Sequence, residues 1–493
     1  MTTKPPNLTT ANLTTANLTA RSLTPGKRLL AGLCLGYLAL MLYSSTVIGP
    51  AGLNFVYQDP ARALRQFLTI RFVVNGSDQR ADWMGNLLML IPFGALTAGA
   101  LWPRRSGSRL AAATTAMLLC ATTILTIKYL QLFFPPRTVN LNYIAAQSVG
   151  AFVGIACFAV WHDRIGPSVS RQDPVAALVL TLKLYSIALL IFLLMPLDFA
   201  LNATDLWAQV ERLPDTMLAL PGAGRPFGVR LILLIVAGAA FIPVGMLLVF
   251  VKTGVWRIRR GPAAAAAIGL VITTGIYAVT TLIMGAFPFI VSIVYRTGGI
   301  MIGAASLRWL TRQDMPRLRQ TLRAAVPWMI APYLLALLLV NQLLTFHWRT
   351  LDDVIAHTYP LGFIPLFDYY IVSKAAAAKN IVGHLLLYSP IGVGLWLRDG
   401  RQRGAQAFGL AAVIAFGVEL ARYFRPGMEG DINTVAVAGL AALLGMRLMP
   451  PIWLMLVTLA QHSQPQAVRQ WDKRRPAPVR RDVAPPAAEI EDF

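Results

Sequence analysis

The stretch Asn86–Gly99 reads NLLMLIPFGALTAG, and it decides the fold because it returns twice. Residues 237–249 read AGAAFIPVGMLLV, and residues 384–396 read HLLLYSPIGVGLW. The P-x-G cores are Pro92/Gly94, Pro243/Gly245 and Pro390/Gly392, set 151 and 147 residues apart. A proline inside an apolar helix removes one backbone hydrogen bond and bends the chain. A glycine two residues later lets a neighbouring helix come close. A second phrase follows each copy: QSVGAFVG from Gln147, RTGGIMIG from Arg296 and AVAGLAALLG from Ala436. Its glycine pairs Gly150/Gly154 and Gly299/Gly303, with Gly439 in the third copy, have the small-residue spacing of close helix seams in membranes. A third phrase precedes two of the copies, MPLDF at Met195 and IPLFDYY at Ile364, with a weaker echo in GPAGLNF at Gly49.

Around these phrases lie apolar runs of about 20 residues, each long enough to cross a hydrocarbon core of about 30 Å. Spans are expected near 29–48, 84–102, 108–127, 142–161, 176–195, 228–251, 262–284, 286–307, 325–345, 380–397, 404–421 and 432–450. Backbone groups in lipid must be satisfied within their own segment, so the spans are read as helices. Four spans per repeat of about 150 residues give an all-α polytopic bundle of about twelve membrane helices in three four-helix units. The expected units are 29–165, 174–310 (degenerate) and 325–460. They are flanked by a polar, low-complexity tail over 1–28 and a basic, proline-rich tail over 461–493, both expected to be disordered. The first apolar run is too long for a signal-peptide core and lacks an A-x-A cleavage site.

Composition agrees. Hydrophobic residues make up 56% of the chain and charged residues 13%, where soluble domains carry about 25% charged. Mean hydropathy is +0.58. The net charge of +22 would suggest nucleic acid in a soluble protein. Here the basic residues gather in alternate short loops, such as Arg308–Arg323 and Arg398–Arg403, so no nucleic-acid partner is expected. The positive-inside rule then makes those loops and both termini cytoplasmic in a bacterial inner membrane. The 49–83 loop, outside on this reading, holds four arginines, but long loops obey the rule weakly. Cys34, Cys120 and Cys157 fall inside spans with no metal-ligand spacing, and read as packing residues.

The phrases resemble the VanZ-like family of membrane proteins. Its pattern is P-x-D after a first helix, N-x6-P-x-G in a second, E-x-x-Q ending a third, then Arg and Asp before a fourth with G-x-x-x-G. In the first copy Asn86, Gln131 and Arg137 match, with Lys128 in the glutamate's place and Asn142 in the aspartate's. In the third, Glu419 and Asp431 match, Arg422 stands for the glutamine, and His384 for the asparagine. The middle copy has lost the polar set. The family takes its name from a protein conferring low-level resistance to the glycopeptide teicoplanin, so the resemblance implies a role in the cell envelope.

On this topology the polar set lies near the outer ends of the spans. Asn86, Gln131, Arg137, Asn142, Asp198, Asp368, His384, Glu419, Arg422 and Asp431 are the candidate pocket residues. Ionisable groups at membrane depth are costly and often functional. Glu419 and Arg422, three apart, share a helix face. An ion-paired fastening of helix ends and a head-group pocket both fit these residues. The expected partners are membrane lipids and a lipid-linked or cell-wall precursor, with no cofactor and no metal. A transporter is the first alternative, on the twelve spans and the repeats. An enzyme using Glu419 and His384 is the second. The chain has no phosphate-binding glycine loop, no H-E-x-x-H and no G-x-S-x-G, so an enzyme is less favoured.

Overall fold

The computed structural model describes residues 25–46, 55–72, 77–103, 108–135, 139–162, 174–219, 226–250, 261–284, 288–344, 347–357, 365–367 and 374–463, with positions 222, 224, 286, 369 and 372. Both expected disordered tails lie almost wholly outside these residues. Among the described residues the regular structure is helical, with one isolated antiparallel bridge between Phe199 and Ile283. The helices are α1 (Pro25–Thr46), α2 (Pro60–Leu68), α3 (Ser77–Leu101), α4 (Arg109–Gln131), α5 (Leu141–Val160), α6 (Pro174–Leu193), α7 (Ala203–Met217) and α8 (Phe227–Ala239). They continue as α9 (Ile242–Phe250), α10 (Gly261–Thr280), α11 (Val291–Leu310), α12 (Met315–Val340), α13 (Leu351–His357), α14 (Lys374–Asp399), α15 (Gly404–Tyr423) and α16 (Ile432–Ser463).

Ten helical stretches among the described residues are long and apolar enough to cross a membrane, from Lys27–Thr46 to Ile432–Thr458. The expected span 176–195 appears as a shorter apolar helix, Leu178–Leu193. α11, in place of the expected span 286–307, carries Arg296 and Arg308 and is not among the ten. Large apolar side chains face outward all round the bundle, including Trp328, Val413 and Val294. That is how helices bathed in lipid look, since lipid tails are as apolar as leucine.

In each third the helix carrying the P-x-G phrase and the last helix form the closest pair: α3 with α5, α8 and α9 with α11, and α14 with α16. Glycine makes this approach possible. A Cβ on Gly94 would overlap the Ala151 carbonyl, and Cβ atoms on Gly150 and Gly154 would overlap the carbonyls of Leu87 and Ile91. Gly245 faces Ile300 in the same way, and Gly299 and Gly303 face Gly238 and Ile242. Gly392 meets Ala442, Gly445 meets Ser389, and Gly439 lies against the Phe408 ring of α15. Backbone-to-backbone packing of this kind replaces the hydrophobic drive that lipid removes.

Pro92 and Pro390 sit inside unbroken helices. Pro243 does not, and the expected span 228–251 divides at Ala240–Phe241. Proline has no N–H to offer the Ala239 carbonyl. Here the chain tightens instead, Phe241 N donating to the Gly238 carbonyl at 2.9 Å.

The loop after the first span of each third holds a short helix that hydropathy windows pass over. α2 is capped by Asp59, whose carboxylate accepts from Ala61 N and Arg62 N. α13 is opened by Thr350 and Asp353, each side chain accepting from the other's backbone N–H at 3.3 Å, a capping box. α2, α7 and α13 leave Leu68, Trp207 and Ile355 exposed, as amphipathic helices at a membrane surface do. Each loop is tied to the loop after the third span. Val56 N donates to the Phe133 carbonyl at 2.9 Å, Met284 N to Asp198 at 2.7 Å, and Arg349 N to Phe424 at 2.6 Å.

Candidate functional site

α15 ends with Glu419 and Arg422 on one face, at the end of the bundle opposite the basic loops. Glu419 is 2% exposed. Its Oε2 accepts from Arg422 Nη1 at 2.8 Å and from the Asp431 backbone N–H at 2.8 Å. Asp431 in turn caps α16: its carboxylate accepts from Asn433 N at 2.8 Å and from the Thr434 hydroxyl at 3.3 Å. Asn433 Oδ1 accepts from Leu366 N at 2.6 Å, fastening the 365–367 turn onto α16. Leu366 has φ +64°, the value Leu197 takes in the corresponding MPLDF phrase. His384 Nδ1 lies 3.3 Å from the Tyr369 hydroxyl, and the charges of Asp431 and Arg422 act on it. The field of Glu419 acts on Tyr388, which is fully buried.

Three polar atoms here are buried with no hydrogen-bond partner among the described residues: Glu419 Oε1, the Tyr388 hydroxyl and Asn433 Nδ2. A buried polar atom without a partner costs about 1–3 kcal/mol. Arg230 and Arg296 of the middle third also hold such atoms; what distinguishes the last third is that the Glu419 charge acts on the Tyr388 hydroxyl.

The first third carries a different set. Gln147 Nε2 of α5 donates to Asn86 Oδ1 of α3 at 2.9 Å, and Asn86 Nδ2 donates to the Asp82 carbonyl at 2.8 Å. Lys128 Nζ donates to Gln131 Oε1 at 3.1 Å and sits 5.5 Å from the Tyr143 ring centroid. Lys128 and Gln131 thus hold the helix end that Glu419 and Arg422 hold in the third, with the cation placed first. The counterpart of Asp431 at the start of α5 is Asn140, which accepts from Tyr143 N at 3.1 Å. Asn142, matched to the family aspartate from sequence, lies two residues further on, as Asn433 does after Asp431.

Asp198 belongs to a separate junction. Arg80 Nε lies 2.9 Å from Asp198 Oδ1, and its Nη2 donates to Asp205 Oδ2 at 2.9 Å. This ties α3 to the loop and helix of the middle third. The middle pair α10–α11 is joined by the Thr273 and Thr297 hydroxyls at 2.8 Å, and Arg296 stacks over Phe241 and Tyr295.

The structure therefore brings His384, Glu419, Arg422 and Asp431 together, while Asn86 pairs with Gln147 and Gln131 with Lys128 in the first third, and Asn142 sits in the first turn of α5. Asp198 joins the Arg80 junction. Arg137 and Asp368 lie outside the described residues. Sequence reasoning missed Tyr388, Asn433 and Gln147 as members of these groups. The Asp431-x-Asn433 cap sequence before α16 and the helical offset of four from His384 to Tyr388 were the available signals. Cys34 Sγ lies 3.3 Å from the Thr97 hydroxyl and Cys120 is buried, so both take part in packing. Among the described residues no three His, Cys, Asp or Glu side chains group closely enough to hold a metal ion.

Helices with backbone-close seams, lipid-facing apolar surfaces and polar clusters at one end define a polytopic α-helical membrane protein. Residues 30–162 match the model of the VanZ/LLP1 family. Across that stretch the chain is similar to VanZ-like membrane proteins. No curated protein and no solved structure matches it.

Proposed function

We propose that this protein binds the polar head group of a cell-envelope component, a lipid-linked cell-wall precursor, at the outer ends of its third four-helix unit. The site lies opposite the arginine-rich loops, which the positive-inside rule assigns to the cytoplasm of a bacterial inner membrane. Glu419 is the principal acceptor, with Arg422, Asp431, His384, Tyr388 and Asn433 around it.

The supporting observation is the set of unpartnered buried atoms, Glu419 Oε1, Tyr388 OH and Asn433 Nδ2. Together they offer an anionic acceptor, a hydroxyl and an amide donor, the complement of a hydroxyl- and amide-bearing head group. The other two units are read as VanZ-like scaffold copies. In favour of this, the order of long helix, short helix and three further helices recurs in each third, the middle one's P-x-G helix being the divided pair α8–α9, with the same seam between the P-x-G helix and the last helix.

The test is a deletion strain scored against teicoplanin and a panel of other cell-wall and membrane-active agents. Deletion changes sensitivity, and wild-type protein restores it. Glu419→Gln fails to restore it, whereas Asp352→Asn, on the exposed face of α13, restores it fully. Sensitivity unchanged by deletion across the panel refutes the envelope role. Full restoration by Glu419→Gln refutes the site.

A further inference from the structure

At the basic end of the molecule, far along α14 from His384, α12 and α14 face each other at Val326 and Gly394. Beyond that point lies a cavity of about 490 Å³, lined by Arg319, Gln320 and Arg323 of α12 and by Arg398, Asp399 and Gly400 at the end of α14. Its volume is in the range of small-molecule sites, about 300–1,000 Å³.

The lining is built rather than merely charged. The Arg319 guanidinium lies 4.7 Å from the ring centroid of Trp396, which is itself buried. Gly400 has φ +70°, and a Cβ there would fall 2.9 Å from Arg319 Nη2. Glycine thus both turns the chain and leaves room for the guanidinium. The single acid in the lining, Asp399, is already shared between Arg398 at 3.5 Å and Arg403 at 3.7 Å. Arg319 and Arg323 form no ion pair among the described residues. Three guanidiniums around one occupied carboxylate leave a net positive cavity, and planar guanidinium forks match phosphate oxygens in pairs.

We infer that this cavity binds a phosphate-bearing anion, held by Arg319, Arg323 and Arg398. An acidic phospholipid supplies it most directly. The cavity sits where membrane spans end, and α12 exposes Trp328, Met329 and Ile330 beyond it, a surface for acyl chains. Basic pockets between membrane helices are suited to such head groups. The site is separate from the Glu419 cluster, and its test does not depend on that reading.

The test uses the full-length protein in a neutral detergent, titrated with phosphatidylglycerol, phosphatidylcholine or inorganic phosphate and followed by native mass spectrometry. Phosphatidylglycerol should bind saturably, and phosphatidylcholine at least about tenfold more weakly, as expected for a charge-assisted contact. The double variant Arg319→Gln/Arg323→Gln and the single variant Arg398→Gln should each weaken phosphatidylglycerol by a similar factor. Arg62→Gln/Arg65→Gln on α2, at the other end, should not. Binding of inorganic phosphate alone, lost in the same variants, supports the phosphate site with a soluble source. Its absence beside phosphatidylglycerol binding supports the lipid source. Arg398→Gln leaves the Arg319–Trp396 stack in place, so it decides the matter even where the double variant misfolds. Equal phosphatidylglycerol binding by wild type and Arg398→Gln, or equal binding of the two lipids, overturns the inference.

Discussion

Glu419 is buried and takes two donors on one oxygen and, among the described residues, none on the other. The geometry separates two substitutions. Glu419→Gln keeps an oxygen that can accept the Asp431 N–H, so the fold should survive while the charge is lost. Glu419→Ala leaves both Arg422 and that N–H without their acceptor. Breaking a buried pair from one side costs about 3–5 kcal/mol. Thermal unfolding in detergent should show the alanine variant clearly destabilised and the glutamine variant close to wild type. Equal midpoints would show that Glu419 is not holding the α15–α16 end. The i,i+3 spacing made the Glu419–Arg422 pair readable from sequence. The capping role of Asn140 was not, because Asn140 and Asn142 look alike until α5 shows which of them precedes its first turn. Tyr388 was hidden for another reason: a tyrosine in an apolar span carries no mark of whether its hydroxyl is satisfied.

Among elements, the seams carry the fold. Gly154 packs its backbone onto the Ile91 carbonyl, so Gly154→Val must push α3 and α5 apart. Overpacking costs about 1–3 kcal/mol even where neighbours can move, and here the neighbour is backbone. Gly275 on α10 has nothing within 4 Å of a built Cβ. Gly275→Ala should be neutral or slightly stabilising, by up to about 1 kcal/mol from helix propensity. Folded yield and unfolding temperature of the two variants check the contrast, and a Gly154→Val protein as stable as wild type would contradict the seam. Ten of the twelve expected spans and the glycine pairs were legible because hydropathy and small-residue spacing are local signals. α2, α7 and α13 were not, since 7 to 15 residues fall below any spanning window. The break at Ala240–Phe241 was not legible either, because the same P-x-G phrase stays continuous in α3 and α14.

At the scale of the molecule, the thirds touch along few helix pairs, chiefly α6 with α16, α8 with α12 and α3 with α14. The Arg80 junction adds a polar link between the first third and the middle one. Asp198 is the more buried partner, its side chain 7% exposed against 23% for Asp205. Asp198→Ala should therefore loosen the junction more than Asp205→Ala, which removes the less buried carboxylate. Disulfide trapping between cysteines placed on α3 and α7 would report the difference, and equal trapping in both variants would count against this ranking. The account as a whole rests on Glu419 and Asp431 facing the outside of the cell, away from the arginine-rich loops. Replacing Cys34, Cys120 and Cys157 and then introducing Glu429→Cys or Arg401→Cys tests this with a membrane-impermeant maleimide on intact cells. Labelling of the position-429 variant alone is the predicted result, with the position-401 variant labelled only after the cells are opened. Labelling of position 401 in intact cells, with position 429 silent until lysis, would contradict it.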